Sequence, residues 1–145
     1  MTKIFLSVSI VIFSITANAQ TDPQTTVREI ETVCNYYLDG GTNGDSIMFS
    51  KAFAPDGQMR YMRNDTLMNV SLKDFMARMK NTGIKQDRKT IIESVQVFGN
   101  AATEKLTIEY PTFYFHDIMS LLKTKDGWKI VSKIFYREDK PKNSQ

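Results

Sequence analysis

Residues 117–133 read DIMSLLKTKDGWKIVSK. A half-apolar run, a Lys125-Asp126-Gly127 turn and a second run opening on Trp128 spell two strands joined by a tight hairpin. The strands extend outward to Thr112–Lys123 and Trp128–Arg137. Upstream, Gly99-Asn100 is a two-residue turn between Lys89–Phe98 and Ala101–Tyr110, so the C-terminal half predicts a four-stranded antiparallel meander. In its first strand Ile92, Ser94 and Gln96 alternate against Ile91, Val95 and Val97.

The N-terminal half has a different period. Val27, Ile30, Val33, Cys34, Tyr37 and Leu38 recur at helical spacing, with Asp22 as cap and Pro23 at the first position. The run Asp39-Gly40-Gly41-Thr42-Asn43-Gly44 is expected to break this helix. A short second helix follows, capped by Asp45 or Ser46, then a turn at Ala54-Pro55-Asp56-Gly57. Gln58–Arg63 and Thr66–Val70 read as a hairpin around Asn64-Asp65, with Met59, Tyr61 and Arg63 on one face. Ser71 caps a third helix from Leu72 to about Lys80. Three early helices and a late meander predict an α+β fold with helices packed on one face of a curved sheet.

The first residues carry a different signal. Lys3 precedes an apolar run from Ile4 to Ile15, and Ala17-Asn18-Ala19 places small residues where a signal peptidase reads them. Cleavage after Ala19 predicts an exported chain, periplasmic or secreted, beginning at Gln20. Roughly 12 apolar residues fall short of the about 20 that span a bilayer, so no stable membrane anchor is expected after cleavage. Residues 20–145 then form a single domain with an ordered core at about 23–138. The leader carries one lysine, so the formal charge of +3 drops by one. That weak, scattered charge argues against a nucleic-acid partner. Cys34, the single cysteine, lies in the apolar helix stripe and reads as a buried structural thiol.

Four pieces carry a resemblance: Tyr36-Tyr37-Leu38-Asp39-Gly40 with Gly44-Asp45; Ala52-Phe53-Ala54-Pro55-Asp56-Gly57; Ser71-Leu72-Lys73-Asp74-Phe75; and Asp117–Lys123 leading to Asp126–Lys133. With this element order, the chain resembles the nuclear transport factor 2-like superfamily. Within it the chain is most similar to the exported family labelled "putative lumazine-binding". Members of that family often carry His where Ala54 stands here. The resemblance implies a cone-like (cystatin-like) fold, a curved antiparallel sheet wrapped around three N-terminal helices with a cavity at the open end. It also implies a homodimer formed through the sheet.

His116 is the single histidine and a candidate general base. Neighbours on a strand point to opposite faces, so His116 and Asp117 cannot act as a contacting pair. If Leu122 and Trp128 share the concave face, His116, Ile118 and Ser120 share it too, and Asp117 points outward; a one-residue change of register reverses this. An enzyme of the ketosteroid-isomerase or polyketide-cyclase type would need Asp39 or His116 inside the cavity with a Tyr donor. Tyr36, Tyr61, Tyr114, His116 and Trp128 are the candidate ligand-binding residues. No metal-ligand spacing or phosphate loop occurs, and no cofactor is expected. The preferred expectation is non-catalytic binding of a small apolar or aromatic molecule in the cone.

Overall fold

Helix α1 spans Pro23–Asn43 in the computed structural model, which describes residues 22–141. The proposed export leader lies outside the described residues. Asp22 accepts a hydrogen bond from the Gln24 N–H, and Gly44, at φ 63°, closes the helix in the left-handed conformation. The helix runs through the first five residues of the expected Asp39–Gly44 break and ends at the last of them, Gly44. Gly40 stays helical because a second helix crosses there: a Cβ on it would lie 2.4 Å from the Phe49 backbone nitrogen. The glycine permits backbone-to-backbone contact rather than a turn.

Helix α2 (Ser46–Lys51) is capped by Asp45, whose carboxylate accepts from the Met48 N–H at 2.8 Å. Strand β1 (Phe53–Arg63) absorbs the expected Ala54–Gly57 turn as an irregularity, its register shifting between Phe53 and Gln58. Asn64 and Asp65, both at positive φ, turn it into β2 (Thr66–Ser71). Ser71 then caps α3 (Leu72–Arg78), accepting from the Asp74 N–H at 3.1 Å. Strands β3 (Lys89–Phe98), β4 (Ala101–Glu109), β5 (Phe113–Thr124) and β6 (Gly127–Asp139) form the expected meander.

The six strands make one sheet in the order β2-β1-β6-β5-β4-β3, antiparallel except where β1 runs parallel to β6. The helices cover one face, and the fold is the α+β cone predicted above. The α1 stripe buries Ile30, Val33, Cys34, Tyr37 and Leu38 against Leu106, Ile108, Met119, Leu121 and Ile130 of the sheet. Phe49 and Phe53 stack at 5.3 Å between ring centroids, Phe49 and Phe75 at 5.4 Å, tying α2 to β1 and α3. Arg88 locks the open end of α1: it donates to the Leu38 carbonyl at 2.6 Å, to Thr42 and to the Tyr110 hydroxyl.

One expectation about the sheet is reversed. Trp128 is buried on the inner face, whereas Leu122 is 43% exposed on the outer one. Trp128 pairs with Lys123, not Leu122, and the β5–β6 register shifts between Ser120 and Leu121. On β5 the inward residues are therefore Phe115, Asp117, Met119 and Leu121. His116, Ile118 and Leu122 face out. The register shift also changes parity along β6, so that Trp128 and Ile130 point inward before it and Lys133 after it.

A polar network beneath an aromatic cavity

The inner face of β1, β5 and β6 carries both the least expected polar residues and a large cavity. Asp117 and Lys133 are buried, at 1% and 6% exposure, and meet Tyr37 of α1. The Tyr37 hydroxyl donates to Asp117 Oδ2 at 2.7 Å, and Lys133 Nζ donates to the same oxygen at 2.8 Å and to the Tyr37 oxygen. Asp117 Oδ1 is buried without a hydrogen-bond partner among the described residues. Burial, followed by the negative charge of Asp117, holds the Tyr37 phenol well above its ordinary range. Burial also draws the Lys133 ammonium down, with Asp117 opposing. Tyr37 thus stays neutral, while Asp117 and Lys133 form an ion pair shielded from water.

Aromatic rings roof this network. Lys133 Nζ lies 4.6 Å from the Phe135 ring centroid, 4.7 Å from Tyr37 and 6.0 Å from Phe115. Phe135 in turn stacks on Tyr61 at 4.6 Å and meets Phe115 edge-on at 5.4 Å. Above these rings opens a cavity of about 920 Å³ between the inner sheet face and α3. Met59, Tyr61, Phe115 and Phe135 line it from the sheet, and Phe75 and Met79 from the α3 side. Its exposed rim holds Arg63, Asn64, Arg78 and Arg137. The arrangement has room for an apolar or ring-shaped body, and the Lys133–Asp117 ion pair lies beneath its floor.

Two sequence-derived candidates, Tyr61 and His116, line a second cavity of about 470 Å³ that opens on the outer face of the sheet; Tyr36, Asp39 and Trp128 lie apart from it. Tyr61 also lines the aromatic cavity. Tyr36 faces out at 37% exposure, and its neighbour Tyr37 takes the inward place because it continues the Ile30–Val33–Cys34 stripe. Asp39 is exposed within α1, which continues past it to Asn43. Tyr114 and His116 lie on the outer face, their rings 6.0 Å apart. His116 Nε2 is 2.8 Å from Glu138 Oε2, and its Nδ1 is 3.2 Å from Thr107 Oγ1. Trp128 sits in the core near Lys123 and the start of α1, beside a separate cavity of about 540 Å³. Neither Asp39 nor His116 meets the geometry that an isomerase-type base requires in this cone. The inward carboxylates are Asp117 and Glu104, a buried residue of β4 neither of whose carboxylate oxygens has a partner. Among the described residues no cluster of His, Cys, Asp and Glu could hold a metal ion, and no helix is long and apolar enough to cross a membrane.

Comparison with known proteins places this geometry. The profile of the family described as "Putative lumazine-binding" matches residues 25–136. A nuclear transport factor 2-like protein of unknown function from Shewanella baltica superposes with a TM-score of 0.74 at 24% identity, covering 85% of this chain and 100% of that one. One from Silicibacter pomeroyi gives 0.71 at 20% identity, covering 81% and 100%. A ketosteroid isomerase-like protein from Erwinia carotovora gives 0.61 at 14%, covering 76% and 94%. At these identities the likeness is one of fold. No curated protein matches the chain.

Proposed function

This chain belongs to the family described as "Putative lumazine-binding", and on that footing we propose that it binds a small, largely apolar or aromatic molecule in the concave cavity. The observation that carries the reading is the cavity itself: about 920 Å³, lined by five aromatic rings and three methionines, over a floor whose charges are already paired. That size and lining are those of small-molecule sites. N-phenyl-1-naphthylamine, a neutral dye that fluoresces in apolar surroundings, tests it. The protein should bind the dye, and Met79→Trp, which fills the cavity from the α3 side, should weaken binding at least tenfold. No binding, or equal binding to the filled variant, sinks the reading. Displacement of the dye by lumazine would extend to this chain the ligand in the family's description.

A second reading concerns the outer face. Ile91, Ile118, Leu122, Ile134 and Tyr136 remain 40–67% exposed there. Apolar side chains exposed on one sheet face are what a sheet-to-sheet homodimer would cover. Light scattering should give twice the chain mass, and Ile134→Lys should shift it to the monomer; a wild-type monomer at micromolar concentration removes this reading. The leader pattern in Met1–Ala19 supports action outside the cytoplasm. N-terminal sequencing of the extracytoplasmic protein should begin at Gln20.

A further inference from the structure

The cavity's walls and its rim differ in chemistry. The walls are aromatic and thioether, and no Asp or Glu lines the cavity among the described residues. The rim brings three guanidinium groups from three elements to one opening: Arg63 ends β1, Arg78 ends α3 and Arg137 lies near the end of β6. Arg137 is engaged, with its Nε donating to Asp139 at 3.0 Å and its Cζ 4.0 Å from the Phe113 ring centroid. Arg63 rests its Cζ 5.7 Å from the Tyr61 ring and, like Arg78, makes no ion pair or side-chain hydrogen bond among the described residues. Gathering like charges at one mouth is unfavourable unless an anion joins them, and guanidinium groups present paired N–H donors that match a planar or tetrahedral oxyanion.

From this geometry we propose that the cavity is selective for an anionic aromatic molecule, whose ring body enters the cone while its carboxylate, sulfonate or phosphate stays between Arg63 and Arg78. The proposal rests on the binding reading above and adds the charge class of the ligand. Lys133, beneath the floor, and Arg137, at the rim, are four residues apart on β6, about 13 Å along a strand. One or two fused rings therefore fit between floor and rim with the anion at the mouth. A second anion at the floor is disfavoured, because Asp117 already occupies the Lys133 ammonium.

Two dyes with the same anilinonaphthalene body separate the contributions. N-phenyl-1-naphthylamine is neutral, and 8-anilino-1-naphthalenesulfonate adds one sulfonate. Titrating the purified protein with each should show the sulfonate binding roughly tenfold or more tighter, as charge-assisted hydrogen bonds imply. The preference should shrink as sodium chloride is raised. In the double variant Arg63→Gln, Arg78→Gln it should fall to near unity, while affinity for the neutral dye stays within about twofold of wild type. Both arginines are exposed, so the fold does not depend on them. Equal affinity for the two dyes, or a sulfonate preference that survives the double substitution, overturns the charge selectivity and leaves the binding reading standing. Failure of the neutral dye to bind the wild-type protein overturns both.

Discussion

Replacing Glu104 with Met should make this protein more stable, and the structure gives the size of the effect. Glu104 points inward from β4, is 0% exposed and has no hydrogen-bond partner on either oxygen. Burial, reinforced by Glu31 on α1, raises its carboxyl from the ordinary 4.5 to about 8. The folded state therefore keeps a proton that the unfolded chain releases between those two values. Stability contributed by the protonated form is full below pH 4.5 and is lost as pH rises toward 8. Each unit in that window is worth up to about 1.4 kcal/mol, so the group lowers stability at pH 7 by about 3 kcal/mol relative to acid conditions. Methionine fills similar volume without a charge or an unmet polar atom. Glu104→Met should gain about 3 kcal/mol at pH 7, a rise in Tm of about 10 °C for a domain of this size. Glu104→Gln should flatten the pH dependence while gaining less, because its amide is also unpartnered. Urea unfolding at half-unit steps from pH 5 to 8 is the assay. If wild type and Glu104→Gln show the same slope, or Glu104→Met is no more stable than wild type at pH 8, Glu104 is not carrying an unmet proton and the reasoning fails.

Lys133→Met should destabilise by about 3–5 kcal/mol, since it leaves the Asp117 carboxylate buried without its cation; adding Asp117→Leu should recover most of that loss in denaturant melts, whereas additive losses would show that the ion pair is not the issue. Gly40→Ala should cost about 3 kcal/mol, because its Cβ would press within 2.4 Å of the Phe49 backbone, where no side chain can swing away. Gly83→Ala meets nothing within 4 Å and should lose only the 1–2 kcal/mol of its left-handed φ of 63°; equal losses at the two glycines would refute the contact between α1 and α2. Cys34, buried at 0% exposure, should react with a thiol reagent only in denaturant; prompt labelling of the folded protein would contradict its place in the core.

Much of the architecture was legible because local signals agreed. The Gly99-Asn100 turn, the Ser71 cap and the α1 stripe sit where the structure has them, and the expected Lys125–Gly127 turn is made by Lys125 and Asp126, with Gly127 opening β6. Two features were not. The glycine run after Leu38 looks like a helix terminator, yet Gly40 is there for a crossing helix that only the folded chain supplies. The facing of β5 was also ambiguous, since His116, Ile118, Ser120 and Leu122 alternate almost as apolarly as Phe115, Asp117, Met119 and Leu121. Anchoring the register on Leu122 with Trp128 then selected the wrong set, and the irregularity near Val131 hid the parity change on β6. Tyr37 could have been chosen over Tyr36, because it stands seven residues after Ile30 on the buried stripe. Asp117 and Lys133 could not, because two charged residues among apolar neighbours read as outward-facing until their pairing is seen.

The inner face also explains where a ligand can go. Near the Trp128 end, α1 covers the sheet, and Ile30, Leu38, Leu121 and Ile130 fill the space. Toward the far ends of β1 and β6 the short α3 stands over the sheet instead, and the strands outrun the helices. A sheet face left uncovered there would expose Tyr61, Phe115 and Phe135 to water, so some apolar body must complete the core or leave it incomplete. The Tyr37–Asp117–Lys133 network marks this boundary. It satisfies its own charges at the floor, so an incoming molecule need not pair them there, and its remaining acceptor, Asp117 Oδ1, lies beneath the aromatic layer. Charge available to a ligand is thereby concentrated at the arginine rim, with the Tyr61 hydroxyl and Asn64 as the neutral polar groups of the lining. On the binding proposed above, burial would hold the ring, and the arginines at the mouth, the cations not already paired by Asp117, would select its charge.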